Sequence, residues 1–199
     1  TEIKFRLGWE ERGHRSASKK WSVRMAILTL SVAIAPVTFC FSAQAQTTPD
    51  HEKCPSGQVV LPDVLKGWAS PVTMTAAANT TTLENTVLKP GQAAQLTLQH
   101  TGEMQYALRP AEPGGKVSSG GMVAFDAPTA GTYRVMMNVR AWLDVVHDGK
   151  AVDSVHHQHG PACSGIGKMV DFPLPAGRSV IQLSGSGKPV AEIMVVPVP

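Results

Sequence analysis

Positive charge is scarce in the part of this chain expected to fold. Residues 46–199 hold eleven Lys and Arg against twelve Asp and Glu, without a basic cluster. The formal net charge of +3 belongs to residues 1–45, which hold seven of the eighteen basic side chains. Without a basic patch the folded part lacks the electrostatic footprint that nucleic-acid binding requires. Polybasic attachment to a membrane surface fails for the same reason. Long stretches of helical periodicity are also missing, so the fold is not built on long amphipathic helices. The order G-x-x-x-x-G-K-[ST] does not occur, and the Gly-rich "PGGKVSSGG" at 113–121 leads into a strand rather than a helix, as a hairpin loop does and a phosphate loop does not. No G-x-S-x-G elbow occurs. Ser154 and Ser164 lie too close to the histidines in sequence to imply a hydrolase triad.

Long apolar runs are short in supply as well. The one candidate, "MAILTLSVAIAPVTFCFSAQAQ" at 25–46, has Lys19, Lys20 and Arg24 ahead of it, contains Pro36 and ends in Ala43-Gln44-Ala45. It falls short of the roughly 20 apolar residues that span a bilayer and has the pattern of a secretory signal peptide cleaved after Ala45. Residues 1–24 then form an extension outside the fold, Met25 is a candidate start of translation, and no stable membrane anchor remains after cleavage. Residues 46–199 are enough for one domain with one core, expected in the periplasm or secreted. Of the three cysteines, Cys40 leaves with the leader, and "VTFC" lacks the small residues that precede a lipid-modified cysteine. Cys54 and Cys163 most simply form a disulfide in an oxidising compartment. Such a link closes a loop of about a hundred residues, worth roughly 4 to 5 kcal/mol in the chain-entropy model. Thiolate ligation of a metal beside the histidines is the alternative.

Within residues 46–87 the chain reads as an extended tail and one short helix, in which Leu61, Val64, Leu65 and Trp68 of "LPDVLKGW" share a face and Trp68 plugs the core. "TMTAAANTTT" follows as a threonine-rich connection. Over residues 88–199, eight β-type runs alternate with Gly/Pro turns: "AAQLTLQ", "MQYALRP", "GMVAFDAP", "GTYRVMMNV", "AWLDVVHDGKAVDSVHH", "KMVDFPLP", "RSVIQLSG" and "AEIMVVPVP". Turns about every ten residues predict an all-β fold, an antiparallel β-sandwich or jelly roll.

The densest chemistry lies in "VHHQHGPAC" at 155–163, which holds three of the seven histidines. Just upstream, Asp148-Gly149 is a two-residue hairpin signal. Pairing His147 with Lys150 sets Val145 opposite Val152, Asp144 opposite Asp153, Leu143 opposite Ser154 and Trp142 opposite Val155. One face then carries Leu143, Val145 and Val152. The other carries Trp142, Asp144 and Asp153, a polar ligand-binding face, and also His157 and His159 if the strand runs on. His157 and His159, at i and i+2, form a chelating pair for iron, zinc or copper, which needs a third ligand such as Glu192 or His100. His147 lies roughly 20 Å from the His156 end at about 3.3 Å per residue and belongs to no such site. Opposed Asp144 and Asp153 repel by up to about 1 kcal/mol unless a cation or ligand hydroxyl intervenes.

"AGTYRVMMNVRAWLDVVHDGK" and "KMVDFPLPAGRSVIQLSGS" resemble the galactose-binding-like and related jelly-roll modules of secreted bacterial proteins, in which "PAGRSVIQL" forms a hairpin. Together with "LPDVLKGW", "YALRPAEPGGKVSSGGMVAF", "HHQHGPACSGIGKMVDF" and the two cysteines, the pattern is similar to a family of small exported proteins of Gram-negative bacteria, some of whose members carry the name homogentisate 1,2-dioxygenase. That name implies iron on two histidines and a glutamate. His157 and His159 match the histidines, and the next glutamate is Glu192, far downstream. Two functions are therefore expected in competition. One is noncatalytic binding of a carbohydrate or other small polar ligand by Trp142, Asp144 and Asp153. The other is a metal-dependent dioxygenase built on His157, His159 and Glu192.

Overall fold

The computed structural model describes Cys54 and residues 59–199. The expected extension 1–24, the expected signal segment 25–45 with Cys40, and most of the expected tail 46–58 lie outside the described residues. In chain order the strands are β1 (Val72–Thr75), β2 (Val87–Leu88), β3 (Ala94–Thr97), β4 (Gln99–His100), β5 (Ser119–Ala127) and β6 (Gly131–Met137). They continue with β7 (Trp142–His147), β8 (Lys150–Ala151), β9 (His156–Gln158), β10 (Lys168–Leu174), β11 (Gly177–Ser186) and β12 (Val190–Pro197). Sheet 1 runs β1-β3-β12-β6-β10-β9, and sheet 2 runs β2-β5-β11-β7-β8 with β4 also beside β5. Most connections cross from one sheet to the other, including the one through "PAGRSVIQL", which is an arch between β10 and β11 rather than a hairpin.

The expected β-sandwich is present, and its purely antiparallel character is corrected at two edges. β1 runs parallel to β3, and β2 parallel to β5. Both short strands come from residues 46–87, read from sequence as tail, helix and connection. The chain reaches β3 from β1 only by way of sheet 2, and such a crossover brings a strand back in the same direction. "MQYALRP" is corrected too. It forms no strand but lies over the outer face of sheet 2, where the Leu108 amide donates to Gln182 Oε1 and Gln182 Nε2 donates to the Leu108 carbonyl.

The helix of "LPDVLKGW" is a 3₁₀ turn, Asp63–Ala69. With about three residues per turn, Leu65 and Trp68 share the buried side while Val64 swings out to 59% exposure. A side chain at Gly67 would collide with the Gly91 carbonyl. Leu65 and Trp68 pack with Met136, Met169 and Met194 on the outer face of sheet 1. A second 3₁₀ turn, Thr80–Asn85, is capped by Asn79, whose side chain accepts from the Thr81 and Thr82 amides. Between the sheets lies the main core, where Phe125 of β5 meets Tyr133 of β6 edge-on with ring centroids 5.3 Å apart. Because both outer faces are also covered, "MVAF" and "EIMVV" read as continuous apolar runs rather than clean alternations.

Cys54 and Cys163 are joined, with Cα atoms 5.5 Å apart. Their sulfurs are therefore unavailable as thiolate metal ligands. A disulfide of this kind fits an oxidising compartment.

Candidate functional site

The Asp148-Gly149 turn forms as the sequence predicts, with positive φ at both residues, as a type I′ hairpin requires. Its register is the expected one: His147 opposes Lys150, Val146 opposes Ala151, and the Val152 amide donates to the Val145 carbonyl. There the hairpin ends. β8 stops at Ala151, before Asp153 could come to lie opposite Asp144, and the chain crosses to sheet 1. The Val155 amide donates to the Asp171 carbonyl, and β9 pairs with β10. The expectation that one face of a continuous hairpin carries Trp142, Asp144, Asp153, His157 and His159 is thus corrected.

This crossing produces the site. β7 is left without a partner on one side at Trp142–Asp144, and the sandwich opens along that edge. Leu143 and Val145 point into the main core, so alternation turns Trp142 and Asp144 to the outer face of sheet 2, and the opening wraps around the edge of β7. His157 sits opposite Val170, which points into the main core, so strand pairing turns His157 toward the same opening. Lys168 shares that face with Val170 and Phe172, two and four residues along β10. Continued register places His159 opposite Lys168, and His159 Nδ1 lies 3.1 Å from the Gly167 carbonyl oxygen. A carbonyl only accepts, so Nδ1 carries the proton and Nε2 remains free for a ligand.

The opening is a groove with two adjoining lobes. The larger, of about 930 Å³, runs past the β6–β7 arch at Asn138–Ala141, Trp142, the three basic side chains just described and the irregular end of β11 at Ser184–Gly185. The smaller, of about 310 Å³, is bordered by Trp142, Asp144, Asp153, Ser154, His157 and Lys168. Trp142, His157 and Lys168 border both. These volumes suit a small molecule or part of a polymer chain. One wall is set by close backbone packing, since Ser184 Oγ donates to the Glu112 carbonyl and a side chain at Gly114 would collide with Ser118 Oγ.

Trp142 is 42% exposed, yet its indole N–H donates to Asp144 Oδ1 at 2.8 Å. The ring is therefore held in place with much of its surface facing water. Burial pushes the nearby Tyr106 hydroxyl up to about 12, and the Asp144 charge adds to that shift. Asp144 is thus a brace for Trp142 as well as a border of the groove. Asp153 is exposed at the rim of the smaller lobe.

Glu192 lies elsewhere. On β12, Ala191, Ile193 and Val195 point into the main core, which turns Glu192 to the outer face of sheet 1. β12 and β9 are separated by β6 and β10, so Glu192 stands about 14 Å across the sheet from His157 and on its opposite face. His100, at the β4 end of sheet 2, does not border the groove. Neither does His147, about 17 Å along β7 from Trp142, where its Nδ1 meets Ser179 Oγ. Among the described residues no three His, Cys, Asp or Glu side chains converge as a metal site. The residues present therefore do not fit the iron set of two histidines and a carboxylate.

Arg140 and Lys168 border the groove without having been singled out in the sequence. Lys168 was legible in principle: reading "HHQHGPACSGIGKMVDF" as a hairpin with a long loop places Lys168 across from His159. No protein-family model matches the chain, and no curated protein matches it either.

Proposed function

We propose that the protein is an exported, periplasmic module that binds a carbohydrate or other small polar ligand without transforming it. The observation that carries this reading is Trp142: an exposed indole, oriented by its bond to Asp144, at the junction of both lobes. A fixed aromatic face packs against the apolar face of a sugar ring while neighbouring polar groups take its hydroxyls. Because the ring is positioned before the ligand arrives, binding avoids the cost of ordering it. Asp153 and Ser154 offer hydroxyl-binding groups in the smaller lobe, and His157 and His159 border the groove from sheet 1.

Binding of a glycan panel by wild type and Trp142→Ala tests the proposal. Trp142→Ala is expected to lose about tenfold or more in affinity for whatever binds, because an aromatic platform is worth on the order of 1–3 kcal/mol. Undiminished binding by the variant would refute it. Export is tested by intact mass: the exported protein should begin at Gln46, and retention of residues 25–45 would contradict that part of the proposal.

A further inference from the structure

We infer that the ligand of this groove is an acidic saccharide, a sugar ring bearing a carboxylate or sulfate. The inference rests on the binding role proposed above and narrows it. Around the larger lobe stand Arg140, Lys168, His157 and His159, and Glu112 is the one carboxylate among its bordering side chains. Residues 46–199 carry slightly more acid than base, so this concentration of basic groups is local and does not reflect the molecule's charge. Elsewhere three basic groups are paired: Arg134 binds Asp171 through two hydrogen bonds, Arg178 binds Asp126 likewise, and Lys66 pairs with Asp63. Other lysines and Arg109 among the described residues also stand outside ion pairs, so what sets Arg140 and Lys168 apart is that they border one groove. Among the described residues neither Arg140 nor Lys168 has a carboxylate partner.

The position of Lys168 strengthens the point. It occupies an inward-facing place on β10, in line with Val170 and Phe172, where an apolar residue would extend the core. An ammonium at such a place is costly unless water or an anion reaches it, and the groove provides that access. His159, held through Nδ1 on the Gly167 carbonyl, borders the same lobe from across the strand pair. An anionic group seated between Lys168 and Arg140 would gain charge-assisted hydrogen bonds, while the sugar ring that carries it reaches Trp142 around the open edge of β7.

A glycan array presenting neutral, uronate-bearing and sulfated saccharides to the exported protein, followed by titration of the hits, tests this. Acidic glycans should bind in preference to neutral ones, and added salt should weaken them. Arg140→Gln and Lys168→Gln should each lose about tenfold for acidic glycans, a larger loss than for neutral ones, with cooperative melting kept as a check of folding. The carboxylate and sulfate arms distinguish the two sources of charge. Equal binding of neutral and acidic glycans, both lost in Trp142→Ala, overturns the inference and leaves the binding role standing. Acidic binding untouched by both cation variants places the ligand elsewhere and also overturns it. No glycan bound at all overturns the inference and the binding role together.

Discussion

Glu192 illustrates how a residue's chemistry and its position can diverge. Its carboxylate and its place on the last strand made it a candidate third ligand, but the strand alternation turns it to the outer face, where its backbone exchanges hydrogen bonds with Asn138. Burial holds its carboxyl above the usual carboxylate range. The folded chain therefore keeps this proton to higher pH than the unfolded chain. Stability from the group is full in acid and is lost as pH rises through the carboxylate range to the raised value. Glu192→Gln should accordingly raise the denaturation midpoint at neutral pH and leave it unchanged in acid, by less than about 1 kcal/mol because the side chain still meets water. Ligand affinity should not change, and a loss of bound metal in this variant would contradict its placement. Trp142 and Asp144 were legible as a pair on one face of one strand. Their hydrogen bond was not, because alternation says which side a residue takes and not what it touches there.

Elements were legible to the extent that local chemistry decides them. Asp148-Gly149 sets the β7–β8 register because few other dipeptides accept positive φ at both positions. Gly149→Ala, at φ +71°, should cost about 1 kcal/mol, read as a lowered denaturation midpoint; an unchanged midpoint would show that the turn is not held as described. Where β8 ends was not legible. Periodicity cannot tell a strand that continues from one that changes sheets, since both keep the alternation, and the same blindness made an arch look like a hairpin at "PAGRSVIQL". "MQYALRP" has strand composition but spends its polar backbone on Gln182 and its Tyr106 hydroxyl on the Leu183 carbonyl, partners that no local pattern reveals. β1 and β2 were missed because two to four threonine- or valine-containing residues at a sheet edge leave almost no signal.

For the whole molecule, the sandwich was visible in the spacing of runs and turns, and the disulfide in the parity of the two cysteines within residues 46–199. The link reaches from Cys54, ahead of the first strand, to the β9–β10 loop beside the groove. Replacing both cysteines by Ala should lower stability by roughly 4 kcal/mol in the chain-entropy model, measured by denaturant unfolding, with a loss near zero contradicting its role as a closure of the chain. The loop it holds also packs Ile166 against the Trp68 cluster, so "VHHQHGPAC" is half sheet edge and half anchored loop, and His157 and His159 border the groove from a fixed base while His156 lies on the other face. The central claim is that this groove binds its ligand on Trp142. Residues 46–199 contain only two tryptophans, Trp68 buried and Trp142 exposed, so two indole N–H signals report on the whole question in a titration of the isotopically labelled exported protein with an array-identified glycan. The account predicts a saturable shift of the Trp142 signal with Trp68 unmoved; saturation that leaves Trp142 unmoved would contradict it.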